Sequence, residues 1–161
     1  MPETECSGQL RAELFVRSEL PAPATARYRT VVRELETLVE SGHLAALSVT
    51  EWRKRVPVDG PGGDRERERY AEFSDWASEA GVGLAPFFDT RVCYSTETAR
   101  RRPELVVPAM CLAVYHGDEL ALVTPHDDHG RMVSIEDCLD RIRSGQITDA
   151  ATRELSAPTA D

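Results

Sequence analysis

Lysine is almost absent from this 161-residue chain: of 19 basic residues only Lys54 is lysine, set against 28 carboxylates and a formal net charge of −9. There is no Cys-x-x-Cys either. The four cysteines, Cys6, Cys93, Cys111 and Cys138, lie far apart, which argues against a zinc ribbon and against a dithiol redox centre. No apolar run approaches the roughly 18 residues that a membrane span needs. The start, Met1-Pro2-Glu3-Thr4-Glu5, is acidic where a secretory signal is basic. A cytoplasmic setting and no membrane association are therefore expected.

What the chain has in abundance is arginine and carboxylate. A guanidinium is planar and more weakly hydrated than an ammonium, and excess carboxylates hold water and cations at the surface. This composition resembles that of soluble proteins from salt-accumulating archaea; an acidic protein from a GC-rich genome is the alternative. Hydrophobic residues make up 41% and charged residues 29%, a balance that predicts a folded chain rather than a disordered one. Length predicts about one domain. Residues 1–8 and 146–161 are polar and aperiodic and read as tails around a single α/β domain at 9–145.

Between the tails the pattern predicts distinct elements. Ala12 to Arg17 alternates as a first strand, broken by Leu20-Pro21-Ala22-Pro23. Tyr28, Val31, Val32, Leu35, Leu38 and Val39 recur at helical spacing, with Gly42 placed to end the helix. Leu44 to Trp52 reads as a second strand, and Pro57 to Gly63 as a flexible surface loop. Asp64 is placed to cap a second helix with an apolar stripe of Tyr70, Phe73, Trp76, Ala77 and Ala80, stopped by Gly81. Its opening, Arg65-Glu66-Arg67-Glu68-Arg69, reads as a solvated face.

Short extended pieces are expected at Leu84 to Phe88 and Val92 to Tyr94, with Arg100, Arg101 and Arg102 in a loop. Val106 to Tyr115 turns at His116-Gly117-Asp118 into Glu119 to Thr124, as a hairpin does. Ser134-Ile135-Glu136-Asp137 forms a capping-box pattern with aspartate in the usual glutamate position, opening a helix whose apolar face is Ile135, Cys138, Leu139 and Ile142.

Strand, helix, strand, helix, hairpin, helix is an order in which a right-handed parallel unit is extended by the hairpin while the last helix packs beside the first. Over about residues 10–144 it resembles the thioredoxin fold, so the expected class is an α/β thioredoxin-like sandwich, with a ferredoxin-like α/β sandwich as the alternative. The resemblance implies a cis bond at Val107-Pro108, before the hairpin. Where that family carries Cys-x-x-Cys, this chain has Ser18-Glu19-Leu20-Pro21-Ala22-Pro23, which implies a redox-silent body. Three stretches, Phe15 to Ser18, Gly83 to Phe88 and Val107 to Tyr115, resemble those of small haloarchaeal proteins of uncharacterised function, some described as helix-turn-helix domain proteins. A helix-turn-helix needs two helices joined by a turn of about three or four residues. Here a strand and a Pro/Gly loop separate the two longest expected helices, so the local sequence does not support that motif.

Four groups of residues carry the residue types of a site. His126-Asp127-Asp128-His129, with Cys93 or Cys111 nearby, has the residue types of a divalent metal site, but Pro125 and Gly130 mark it as a solvated turn. Cys111 lies in an apolar strand, which supplies neither a helix N-terminus nor a cation to activate a thiolate, so core packing is expected. Cys93 and Cys111 are candidates for neighbouring strands. Arg53-Lys54-Arg55 and Arg100-Arg101-Arg102 are the net-basic clusters, suited to phosphate, with a locally balanced basic loop as the simpler reading. Trp52, Trp76, Phe87, Phe88 and Tyr115 are expected in the core, although Phe87-Phe88 after Pro86 could also mark an exposed partner surface.

No catalytic residue, cofactor or metal is assigned. Two functions follow as expectations: a non-enzymatic interaction or adaptor module with a protein partner or a second copy, and, as the alternative, a helix-turn-helix-type DNA-binding regulator.

Overall fold

A strand that is apolar on both sides belongs in the middle of a covered sheet, and the segment around Leu14 and Phe15 is such a strand. In the computed structural model, which describes residues 10–95 and 100–147 (backbone alone at 93–95 and 100), it forms β1 (Leu10–Arg17), with Ala12 and Leu14 to Val16 all buried. Its neighbours are β2 (Ala46–Trp52), parallel to it, and β6 (Met110–His116), antiparallel; β7 (Glu119–Thr124) extends the sheet beyond β6. The order is β2-β1-β6-β7. The chain is an α/β protein with a mixed sheet.

Between these strands run α1 (Ala22–Glu40), β3 (Arg55–Pro57), α2 (Asp64–Ala80), β4 (Asp89–Ser95) and β5 (Arg100–Val106); β8 (His126–Asp128), β9 (Arg131–Val133) and α3 (Ile135–Ser144) follow. β3, β5 and β4 form a second, antiparallel sheet in that order, and β8 and β9 a small hairpin.

The period-2 geometry of strands assigns the helices to faces. Phe15, with Glu13 and Tyr115 on its side of the sheet, meets α2: its ring makes an edge contact with Phe73 at 5.6 Å. Leu14 lies in register with Leu112 and through it with Thr124, which contacts Cys138 of α3. So α3 covers the opposite face, and α1 packs beside it. The bidentate pair Arg27–Glu136 at 2.9 Å and the pair Arg143–Glu34 join those two helices. One cluster of buried side chains runs through both faces, from Val31, Leu35 and Leu38 of α1 across β1 and β6 to Phe73 and Trp76 of α2.

Local chemistry explains several boundaries that differ from expectation. α1 begins at Ala22, because Pro21 and Pro23 occupy its N-cap and second position, where a missing N–H costs nothing. Ser41 is its C-cap, and Gly42, at φ +88°, follows one residue later. Gly63, not Asp64, is the N-cap of α2; Asp64 is the first helical residue. Leu84 to Phe88 forms turns rather than a strand, tied by the Phe88 N–H donating to Leu84 O at 2.9 Å. Phe88 is buried and Phe87 packs against the core, which removes them as an exposed surface. The arginines at 100–102 lie in β5, not in a loop.

Among the described residues the cis bonds are Ala85-Pro86 and Thr124-Pro125, so Val107-Pro108 is trans, contrary to the thioredoxin-based expectation. The capping box at Ser134 and Asp137 is formed in both directions, at 3.1 and 2.9 Å. All four expected apolar residues of α3 are buried. Ile147 packs against the core, so the body reaches past 145. The expected tails at 1–8 and beyond 147 lie outside the described residues, as does Cys6.

Candidate functional site

The carboxyl end of β1 is where the sequence offers Ser18-Glu19 in place of thiols. Ser18 is held there by its N–H, which donates to Trp52 O at 3.0 Å. Arg17 turns inward and donates through Nε to Val107 O at 3.1 Å, with Nη2 on the same oxygen. Its partner is neutral, and burial lowers its pKa. Two clefts flank this turn. One, of about 310 Å³, is lined by Arg17, Ser18, Glu19, Arg53 and Lys54. The other, of about 430 Å³, shares Arg17, Ser18 and Glu19 with it and is closed by Thr25, Tyr28 and Glu51 instead of Arg53 and Lys54. Arg53 is engaged by Glu66, whose carboxylate accepts its N–H at 3.1 Å and lies 3.6 Å from its guanidinium. Cations and carboxylates alternate around the turn, which makes it a polar surface without a nucleophile and base in contact.

The thiols lie elsewhere. Cys111 sits opposite Phe15 in the β1–β6 register and is fully buried. Burial, reinforced by Cys138 and Glu13, pushes its thiol well above the usual range. Burial also pushes the Cys138 thiol up to about 12, against the opposing effects of Thr124 and Arg141. Both are core residues. Cys93 lies in the second sheet, paired with Arg102, so it is not on a strand next to Cys111.

The two histidines of the 126–129 segment part company. His126 is buried, not solvated as the turn-like sequence suggested; its ring N–H donates to Val123 O at 2.7 Å and its ring meets Trp76 edge-on at 5.4 Å. Burial lowers its pKa. His129 is exposed at the tip of the β8–β9 hairpin, with φ +54°, 2.9 Å from Asp128. Among the described residues no group of three or more His, Cys, Asp or Glu is arranged to hold a metal ion.

A partly buried polar network on the α2 face has no counterpart among the sequence expectations. Glu13 accepts from Thr50 Oγ1 at 2.8 Å and pairs with Arg69 at 3.2 Å; Arg69 also pairs with Glu72, which accepts from Tyr115 Oη at 3.0 Å. Burial, with Glu72 nearby, raises the Tyr115 pKa. Glu66, Arg67 and Arg69 thus turn toward the body rather than forming the solvated face expected of 65–69. The signal was a glutamate inside the apolar run of β1. All its members are partnered, which suits a structural role.

Among the described residues the β4–β5 ribbon gathers four arginines, Arg91, Arg100, Arg101 and Arg102. Arg91, Val92 and Arg101 are exposed and Arg102 is half-buried. Arg91 pairs with Asp89 at its base, and farther along the ribbon Arg102, Arg101 and Arg100 lie opposite Cys93, Tyr94 and Ser95. The sequence separates these residues; antiparallel pairing gathers them on one ribbon. Arg55 of the other basic cluster pairs with Glu104 at 3.5 Å.

Among the described residues no two helices are joined by a short turn: β2, β3 and a loop separate α1 from α2, and six strands separate α2 from α3. Among the described residues no helix is long and apolar enough to cross a membrane. A family model described as a helix-turn-helix domain matches residues 4–146. No curated protein and no solved structure matches the chain.

Proposed function

We propose, from the premise that the chain belongs to this helix-turn-helix domain family, that it is a non-enzymatic, DNA-associated regulatory module. The observation that carries this reading is the arginine-bearing β4–β5 ribbon. A two-stranded ribbon fits the major groove of duplex DNA as a helix does, and arginine is suited to phosphate and to guanine edges. With no helix pair joined by a short turn among the described residues, the ribbon takes the part of the contact element.

The body that presents it is read as a redox-silent thioredoxin-like sandwich. The order β2-β1-β6-β7, with β6 antiparallel to its neighbours and helices on both faces, supports that reading. We read the arginine-and-carboxylate composition as adaptation to concentrated salt. There the Debye length is about 3 Å and counterion release drives little binding, so base contacts must supply the specificity.

The test is selection from a random-sequence DNA duplex pool in molar KCl, followed by footprinting. A defined sequence should be enriched and then lost in the triple variant R100A/R101A/R102A, with the melting curve unchanged. No enrichment, or binding indifferent to the triple variant, ends the reading.

A second reading, a protein-interaction or adaptor module, is favoured by β2, which has a strand on one side only among the described residues.

A further inference from the structure

β2 stands at one end of the main sheet, and strands at sheet ends are usually guarded by lysine, proline, bulges or inward-pointing charge. None of the first three guards β2. Its sequence, Ala46-Leu47-Ser48-Val49-Thr50-Glu51-Trp52, holds one charge in seven residues, in a chain with 29% charged residues. It pairs with β1 through seven consecutive residues without a register shift, so it is regular along its length. Val49 at its centre is 43% exposed. The other end of the sheet differs: β7 follows a register shift, and the Trp76 indole N–H caps its Ala121 O at 3.2 Å.

We propose that β2 is the surface through which two copies of this chain pair, edge to edge and antiparallel, about a twofold axis at Val49. An isologous contact places each residue opposite its mirror in the sequence. Val49 then faces Val49 of the other copy, Ser48 faces Thr50, and Leu47 faces Glu51. This register avoids like charges opposite one another and sets Ser48 against Thr50, a hydroxyl pair that is favourable across strands, with β-branched Val49, suited to a strand, at the axis. It joins two four-stranded sheets into one of eight. Each copy carries −9, so repulsion opposes association in dilute salt, and pairing strengthens as the Debye length shrinks to about 3 Å in molar salt.

The inference rests on reading β2 as an interaction edge, and it is independent of DNA. The experiment is sedimentation of the full chain, without DNA, in dilute and in molar KCl. A dimer is expected, tighter in molar salt. V49K and V49E each place like charges opposite one another at the axis and should each weaken the dimer by about tenfold or more. An equimolar mixture of V49K and V49E should restore it as a heterodimer, which a misfolded variant could not do. A wild-type monomer at both ionic strengths, a dimer unaffected by both substitutions, or no recovery on mixing overturns the proposal. If the wild type is monomeric yet V49K abolishes its capture of another protein, self-pairing fails while the interaction-edge reading stands.

Discussion

A Cβ on Gly63 would lie 2.6 Å from the Cβ of Val56, so β3 and the start of α2 meet where only a hydrogen fits. Gly63 also has φ +80°, a left-handed conformation that suits glycine. Gly63→Ala combines backbone strain with a clash against an atom that cannot rotate away. The expected loss is about 2–4 kcal/mol, read by chemical denaturation. Gly60→Ala, at φ +85° in open space, should cost only the backbone part, about 1–2 kcal/mol.

Arg67 donates to Pro57 O at 2.8 Å, Gly62 O at 2.7 Å and Gly60 O at 2.9 Å. The loop expected from its prolines and glycines to be flexible is therefore stapled by one guanidinium. A lysine cannot reproduce that fork. Arg67→Lys should cost about 1–2 kcal/mol and expose 57–63 to limited proteolysis ahead of the rest of the body.

Ser134 and Asp137 satisfy each other's backbone N–H groups at the start of α3. Ser134→Ala should cost about 1 kcal/mol. Amide exchange at Asp137 should quicken more than at Ile142, because only the first turn loses its acceptor.

His126 is held below its ordinary pKa of 6.5, burial being the main cause. As pH falls through 6.5 the unfolded chain takes up a proton that the folded one refuses, so stability present above that value declines below it. His126→Gln should flatten this part of the stability profile between about pH 7 and pH 5. A second decline belongs to carboxyls held low in the fold. Arg27 lowers Glu136, and the Ser134 N–H lowers Asp137. Burial pushes Glu66 up, but the Arg53 N–H and the nearby arginines outweigh it. Their contribution is present above the ordinary carboxyl range and lost as pH falls through the lower folded values.

Cys111 and Cys138 are buried with raised thiol pKa values. In a C6S/C93S background neither should react with a disulfide reagent at neutral pH while the protein is folded, and both should react in denaturant. Fast reaction of the folded protein would contradict core packing.

Local chemistry made much of this protein legible in its sequence. The helical period from Tyr28 to Val39, the capping pattern at Ser134, the hairpin turn at Gly117-Asp118 and the mixed order of strands and helices each depend on residues close together in the chain. So does the absence of Cys-x-x-Cys after β1. Several of the failures had a distant partner. Glu66 and Arg69 look solvated by their alternation, yet Arg53 and Glu13 draw them inward. His126 looks like a turn residue until Trp76 and Val123 O enclose it. Arg100 to Arg102 read as a loop because their partners, Cys93 to Ser95, precede them in a separate segment whose apolar pattern is short.

The chain by itself determined its class of fold, its acidic and lysine-poor composition, the end of α2 at Gly81 and the start of α3 at Ser134, since periodicity, capping and composition act over a few residues. Only the tertiary structure decided which strands stand at the ends of the described sheet, which arginines share a ribbon and which polar groups go inside. Those outcomes are set by pairing across tens of residues, where packing and hydrogen-bond satisfaction override what each segment prefers alone.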